Sequence, residues 1–121
     1  MEKRVLIADD HSFIRHVVKE TLLGTLPISS CEEAANGREA VERAEQSKPD
    51  LIILDIQMPE MDGITAAKRL KESMPETPII LFTMYDLGRD RAKEFGVDAV
   101  VAKLEGLDKL TREVESLLAV H

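Results

Sequence analysis

Apolar residues fall along this 121-residue chain in two alternating patterns. The first is a set of short continuous runs: Arg4–Ala8, Ile28–Cys31, Leu51–Leu54, Ile79–Phe82 and Ala99–Ala102. Each is too short for a helix, and most are rich in Val and Ile, so each predicts a strand. Runs without polar alternation are buried on both faces, the habit of parallel sheets. The run at Ile28–Cys31 is the weakest of them.

The second pattern has helical period. Ser12–Leu23 places Ile14, Val17, Val18 and Leu22 on one stripe, and Arg38–Gln46 repeats Ala40, Val41 and Ala44. Ile64–Met74 carries Ile64, Ala67, Leu70 and Met74, and Leu107–Val120 carries Leu107, Leu110, Val114, Leu117 and Leu118. Leu87–Phe95 is the poorest helix because Gly88 sits inside it. Turn residues separate the pieces: Pro27, Asn36-Gly37, Pro49, Pro59, Gly63, Pro75, Pro78 and Gly96. Strand–helix alternation repeated five times predicts an α/β fold, a doubly wound parallel sheet with helices on both faces. The expected strand order is 2-1-3-4-5, which collects ligands at the carboxyl ends of strands 1 and 3.

Four of the five strands deliver a chemically competent residue to that edge. Strand 1 ends in Asp9-Asp10, strand 3 in Asp55, strand 4 in Thr83 and strand 5 in Lys103. Taken singly, each has an ordinary explanation: a helix cap, turn chemistry or a surface amine. Taken together they describe a site. Crowded carboxylates repel one another unless a cation intervenes, and hard oxygen donors with open water positions suit Mg²⁺. One carboxylate could then act as nucleophile toward a phosphoryl group, with the ion, an ammonium and a hydroxyl meeting its oxygens.

Composition narrows the class. Sixteen Lys and Arg against 23 Asp and Glu give a formal charge of −7, a field that repels a phosphate backbone, so no nucleic-acid binding is expected of this chain alone. Cys31 is the only cysteine, which suits a reducing compartment. The first apolar run is too short for a signal peptide or a membrane span. A cytoplasmic protein without membrane contact is expected, with residues 1–121 forming one domain. His11, His16 and His121 lack zinc spacing, and Cys31 reads as a buried structural thiol.

These residues resemble the receiver domain of bacterial two-component response regulators, of the chemotaxis-Y-like kind, over nearly the whole chain. The matching stretches are Leu6-Ile-Ala-Asp-Asp-His11, Pro49-Asp-Leu-Ile-Ile-Leu-Asp55, Gln57-Met-Pro-Glu-Met-Asp-Gly63, Pro78-Ile-Ile-Leu-Phe-Thr83 and Gly96-Val-Asp-Ala-Val-Val-Ala-Lys103. The resemblance implies a flavodoxin-like sheet and a phosphoryl group received on Asp55 from a sensor histidine kinase or phosphotransfer protein. It implies Mg²⁺, for which Mn²⁺ can substitute, held by Asp10, Asp55 and the Gln57 carbonyl, with Asp9 contributing mainly through water. Thr83 would bond the acyl phosphate and Lys103 would pair with its oxygens. The chain would be no enzyme beyond its own phosphorylation and dephosphorylation. It would switch binding to a downstream protein, with homodimerisation on phosphorylation one of the outcomes the resemblance allows. The wording around Asp9-Asp-His11 and Thr83-Met-Tyr-Asp86 is similar to the subfamily that usually carries a helix-turn-helix output domain, so the chain is expected to be either a stand-alone receiver acting by protein contact or a piece of a longer protein.

Two positions depart from the family pattern. Leu104 follows Lys103 where Pro is usual, and Val100 stands where an aromatic ring usually swings. A non-proline cis bond costs about 2.5–4 kcal/mol, so a trans peptide is expected after Lys103, with Gly106 absorbing the altered path and the ammonium still reaching toward Asp55. Without a ring at position 100, Thr83 and the fourth helix are the expected route of activation. The rival reading is a degenerate receiver that docks partners unphosphorylated. An aspartate-nucleophile phosphatase would need an acid where Gln57 stands, and a flavin site would need a phosphate cradle where Asp9-Asp10 stands.

Overall fold

The computed structural model describes residues 2–85 and 91–119. Strands and helices alternate: β1 (Arg4–Ala8), α1 (Ser12–Thr25), β2 (Ser30–Ala34), α2 (Gly37–Ser47), β3 (Leu51–Leu54), α3 (Gly63–Ser73), β4 (Ile79–Thr83), α4 (Arg91–Phe95), β5 (Ala99–Ala102) and α5 (Leu107–Leu118). The strands form one sheet in the order β2-β1-β3-β4-β5, and every pairing is parallel.

Alternate side chains of each strand feed opposite layers, which is why the apolar runs have no polar partner face. Val5, Ile7 and Ile53 pack with Val18 and Leu22 of α1 and Leu110, Val114 and Leu118 of α5. Leu6, Ala8, Ile52 and Leu54 pack with Ala40 and Ala44 of α2 and Ala66, Ala67 and Leu70 of α3. Each fully buried Leu or Ile contributes about 1.5–3 kcal/mol, so the three central strands anchor everything attached to their ends.

The second strand begins later than the apolar run suggests, at Ser30 rather than Ile28, and continues through Glu32 and Glu33. β2 is an edge strand with β1 as its neighbour, so its polar side chains reach solvent and cationic partners. Glu33 meets Arg15 and Lys19, and Glu32 accepts from the Ser47 hydroxyl at 3.0 Å. Ile28 is buried before the strand starts. Cys31 is a free buried thiol whose pKa burial pushes up to about 11.

The stretch expected as the fourth helix is helical over Arg91–Phe95, and Leu87–Asp90, with Gly88, lies outside the described residues. No peptide among the described residues is cis, so the bond after Lys103 is trans. The chain leaves β5 through a single 3₁₀ turn, Lys103–Glu105, and Gly106 completes the path at φ +93°, a conformation costly for residues with a Cβ. Glu105 secures the turn by accepting from the Ala102 N–H at 2.9 Å and pairing with Lys109. Among the described residues no helix is long and apolar enough to cross a membrane.

Candidate functional site

Strand register builds the site. Ala8 lies opposite Leu54, so the next residues, Asp9 and Asp55, leave the sheet side by side. The Asp55 N–H donates to the Ala8 carbonyl at 3.0 Å, and the Asp9 N–H donates to Ala34 at 3.1 Å. Thr83 lies opposite Ala102, which puts Lys103 one step beyond.

The Lys103 ammonium lies 2.7 Å from Asp9 Oδ2 and 3.3 Å from Asp55 Oδ2. It is therefore closer to Asp9 than to Asp55, and it shares itself between them. All three side chains are less than a tenth exposed, so each charge depends on the others for what water no longer supplies. Burial pushes the Asp55 carboxyl above its ordinary pKa; Lys103 opposes the shift and the Asp9 charge adds to it. The Asp55 Oδ1 accepts from the Ile56 N–H at 2.8 Å, which fixes the plane of the carboxylate.

Asp10 is more exposed, with about a third of its side chain open. The His11 Nδ1 stands 3.1 Å from both Asp9 Oδ1 and Asp10 Oδ1. Asp9, Asp10, His11 and Asp55 thus each offer a donor atom within 4.8 Å of the others. His11 was not expected in this group. The signal was its place immediately after the two acids, before α1 begins. A majority of hard oxygen donors, one of them open to water, fits Mg²⁺ or Mn²⁺.

Beside Asp10 an open depression of about 510 Å³ is lined by Ile56, Gln57, Met58, Pro59 and Asp62. Gln57 is exposed on its wall, and Thr83 is almost fully buried with its Oγ1 accepting from the Tyr85 N–H at 3.3 Å. The structure thus gathers Asp9, Asp10, Asp55 and Lys103 into one cluster, with Gln57 on the wall of the depression beside Asp10 and Thr83 buried at the end of β4, next to the strand that carries Lys103.

The loop from Asp55 to α3 is set by contact. The Gly63 N–H donates to the Ile56 carbonyl at 2.8 Å, and a Cβ on Gly63 would lie 1.9 Å from the Asp55 carbonyl oxygen. Only glycine permits that approach. Asp62 caps α3 by accepting from the Thr65 N–H at 2.8 Å, the main cause of its lowered pKa.

Known proteins are similar to this chain. A family model described as the response regulator receiver domain matches residues 5–115. A protein-glutamate methylesterase/protein-glutamine glutaminase of Vibrio parahaemolyticus is 42% identical over 97% of this chain and 30% of its own length. Response regulator protein VraR of Staphylococcus aureus is 33% identical over 85% of this chain and 50% of its own. The chain therefore spans half or less of these curated relatives. The crystal structure of response regulator TrrA from Thermotoga maritima, in complex with Mg(2+)-BeF, superposes with a TM-score of 0.86 at 33% identity, covering 95% of this chain and 98% of that one.

Proposed function

Because the chain belongs to the response regulator receiver domain family of two-component signalling, we propose that Asp55 is its phosphoryl acceptor. The observation that carries this reading is the buried Asp9–Lys103–Asp55 group at the carboxyl edge of the sheet, with Asp10 beside it. In the reaction an Asp55 oxygen attacks the phosphorus of a phosphohistidine. The new O–P bond forms as the P–N bond breaks, and the departing imidazole takes up a proton. Lys103, already within reach of Asp55, pairs with the arriving phosphoryl oxygens, and the buried Thr83 hydroxyl is the nearest donor on β4 for another.

Asp9, Asp10 and Asp55, with the Gln57 carbonyl, would hold Mg²⁺, and Mn²⁺ would substitute. Bound there, the ion supplies positive charge to the oxygens of the transferring group. The magnesium named with TrrA supports this assignment.

The donor is a sensor histidine kinase or phosphotransfer protein. Four large apolar side chains that follow the strand ends support such docking: Phe13 at the start of α1, Met84 and Tyr85 after β4, and Leu104 in the 3₁₀ turn are 74%, 59%, 46% and 83% exposed. Residues 1–121 act as one cytoplasmic receiver that catalyses only its own phosphorylation and dephosphorylation, binds no nucleic acid itself, and signals by changing its contact with a downstream protein or a second copy. The methylesterase activity in the relatives' names is theirs.

Incubation with acetyl phosphate and Mg²⁺ should add one phosphoryl group, seen as a single mass increment, and Asp55→Asn should abolish it. Asp10→Ala should weaken Mg²⁺ binding and slow labelling. Labelling of Asp55→Asn at the wild-type rate overturns the assignment. An unlabelled wild-type protein favours the unphosphorylated docking module instead.

A further inference from the structure

We propose that Arg15 is a positioning residue of this site, whose guanidinium fixes the Asp9–Asp10 peptide and thereby sets where the Asp10 carboxylate stands. The inference rests on the reading above, in which Asp10 helps hold the divalent ion.

Arg15 lies one turn into α1, its N–H donating to the His11 carbonyl at 3.1 Å. Long side chains on a helix lean back toward its N-terminus, and here that direction leads to the β1–α1 loop. The Arg15 Nη1–H donates to the Asp9 carbonyl at 2.5 Å, while its Nε–H donates to Glu33 Oε1 at 3.1 Å. The side chain is only 15% exposed, so the two bonds are well shielded. On the other side of Asp9, the N–H donates to the Ala34 carbonyl. Both anchors therefore trace to β2, one directly and one through Glu33 and the guanidinium fork.

The Asp9 carbonyl belongs to the peptide group that continues into Asp10. Turning that peptide would swing the Asp10 carboxylate out of the cluster. One other bond resists such a turn, the His11 N–H donating to Asp9 Oδ1 at 2.9 Å; beyond it, the Asp10 side chain meets only His11, which is 68% exposed, and α1 has no side-chain cap at its N-terminus. Arg15 thus orders the ligand before the ion arrives. Its loss would defer that ordering to the binding step and weaken affinity. A lysine keeps the charge but not the planar fork, so it cannot reach Asp9 and Glu33 in the same geometry.

This difference supplies the test. Mn²⁺ binding by the full chain is measured by electron paramagnetic resonance of the free ion, with urea unfolding to establish that each variant is folded. Arg15→Lys and Arg15→Gln should both weaken Mn²⁺ binding about tenfold, and Glu33→Gln about threefold. Acetyl phosphate labelling at saturating metal should return to within about twofold of wild type, because the deficit is in metal binding. If Arg15→Lys binds Mn²⁺ like the wild type, the guanidinium acts through its charge alone and the proposal fails. A labelling deficit that saturating metal does not restore also overturns it. Should Arg15→Lys not fold, Glu33→Gln decides, and wild-type affinity there defeats the proposal. If the wild type does not bind Mn²⁺, or Asp10→Ala binds it equally well, the metal assignment falls and takes this inference with it. Wild-type binding that is lost in Asp10→Ala but kept in Arg15→Lys removes the positioning role alone.

Discussion

The loop after β1 and the loop after β3 leave neighbouring strands at the same edge of the sheet, yet they are held by opposite means. The Asp55 loop is fixed by contact: Gly63 presses against the Asp55 carbonyl, and Asp62 caps the helix that follows. The Asp9–His11 loop is fixed by charge and hydrogen bonds, through Lys103 on one side and Arg15 on the other, and its helix starts without a side-chain cap. Packing gives the Asp55 backbone one position and tolerates no added volume. The neighbouring loop owes its order to particular partner side chains, so it is the loop that loses order when one partner is removed. Asp55 and its two acidic neighbours are thus supported differently.

Substitutions on each side sharpen the contrast. Gly63→Ala should have the largest effect, destabilising the fold by at least about 3 kcal/mol in urea unfolding and removing acetyl phosphate labelling. Unchanged stability would mean the Asp55 loop is as compliant as its neighbour. Asp62→Ala should cost about 1 kcal/mol at neutral pH through loss of the cap. The Asp62 pKa is lowered in the folded state from its ordinary 3.8, so the ionised form stabilises the fold above that value. The difference between wild type and Asp62→Ala should shrink as pH falls below that value and vanish in stronger acid, and a difference that grows in acid would contradict the cap. His11→Ala, on the loop held by charge, should change unfolding free energy by less than about 0.5 kcal/mol. A larger loss would show that this loop, too, depends on one side chain.

The central strands were legible in the sequence because burial on both faces leaves no room for polar residues, and Arg4–Ala8 and Leu51–Leu54 are found where the apolar runs lie. β2 was displaced because an edge strand can carry Glu32 and Glu33, and apolar continuity then marks the wrong residues. The cluster was legible at Asp9, Asp10, Asp55 and Lys103, since strand ends converge by topology. The closer approach of Lys103 to Asp9 was not, because two carboxylates compete for one ammonium and only their relative depth decides the outcome. Arg15 was invisible for a similar reason. On a helix read by its apolar stripe, a polar position looks solvated, and nothing in the periodicity says that its side chain leans back over the preceding loop. An arginine one turn after a functional loop is the clue to look for.

The acidic edge strand also bears on self-association. An exposed edge offers unpaired backbone groups to any other strand, the usual start of sheet extension and aggregation. A second copy adding itself in register along β2 would set Glu32 and Glu33 against the same residues of its partner, stacking like charges directly opposite one another. The carboxylate that anchors Arg15 from Glu33 therefore also works against two copies joining their sheets through β2.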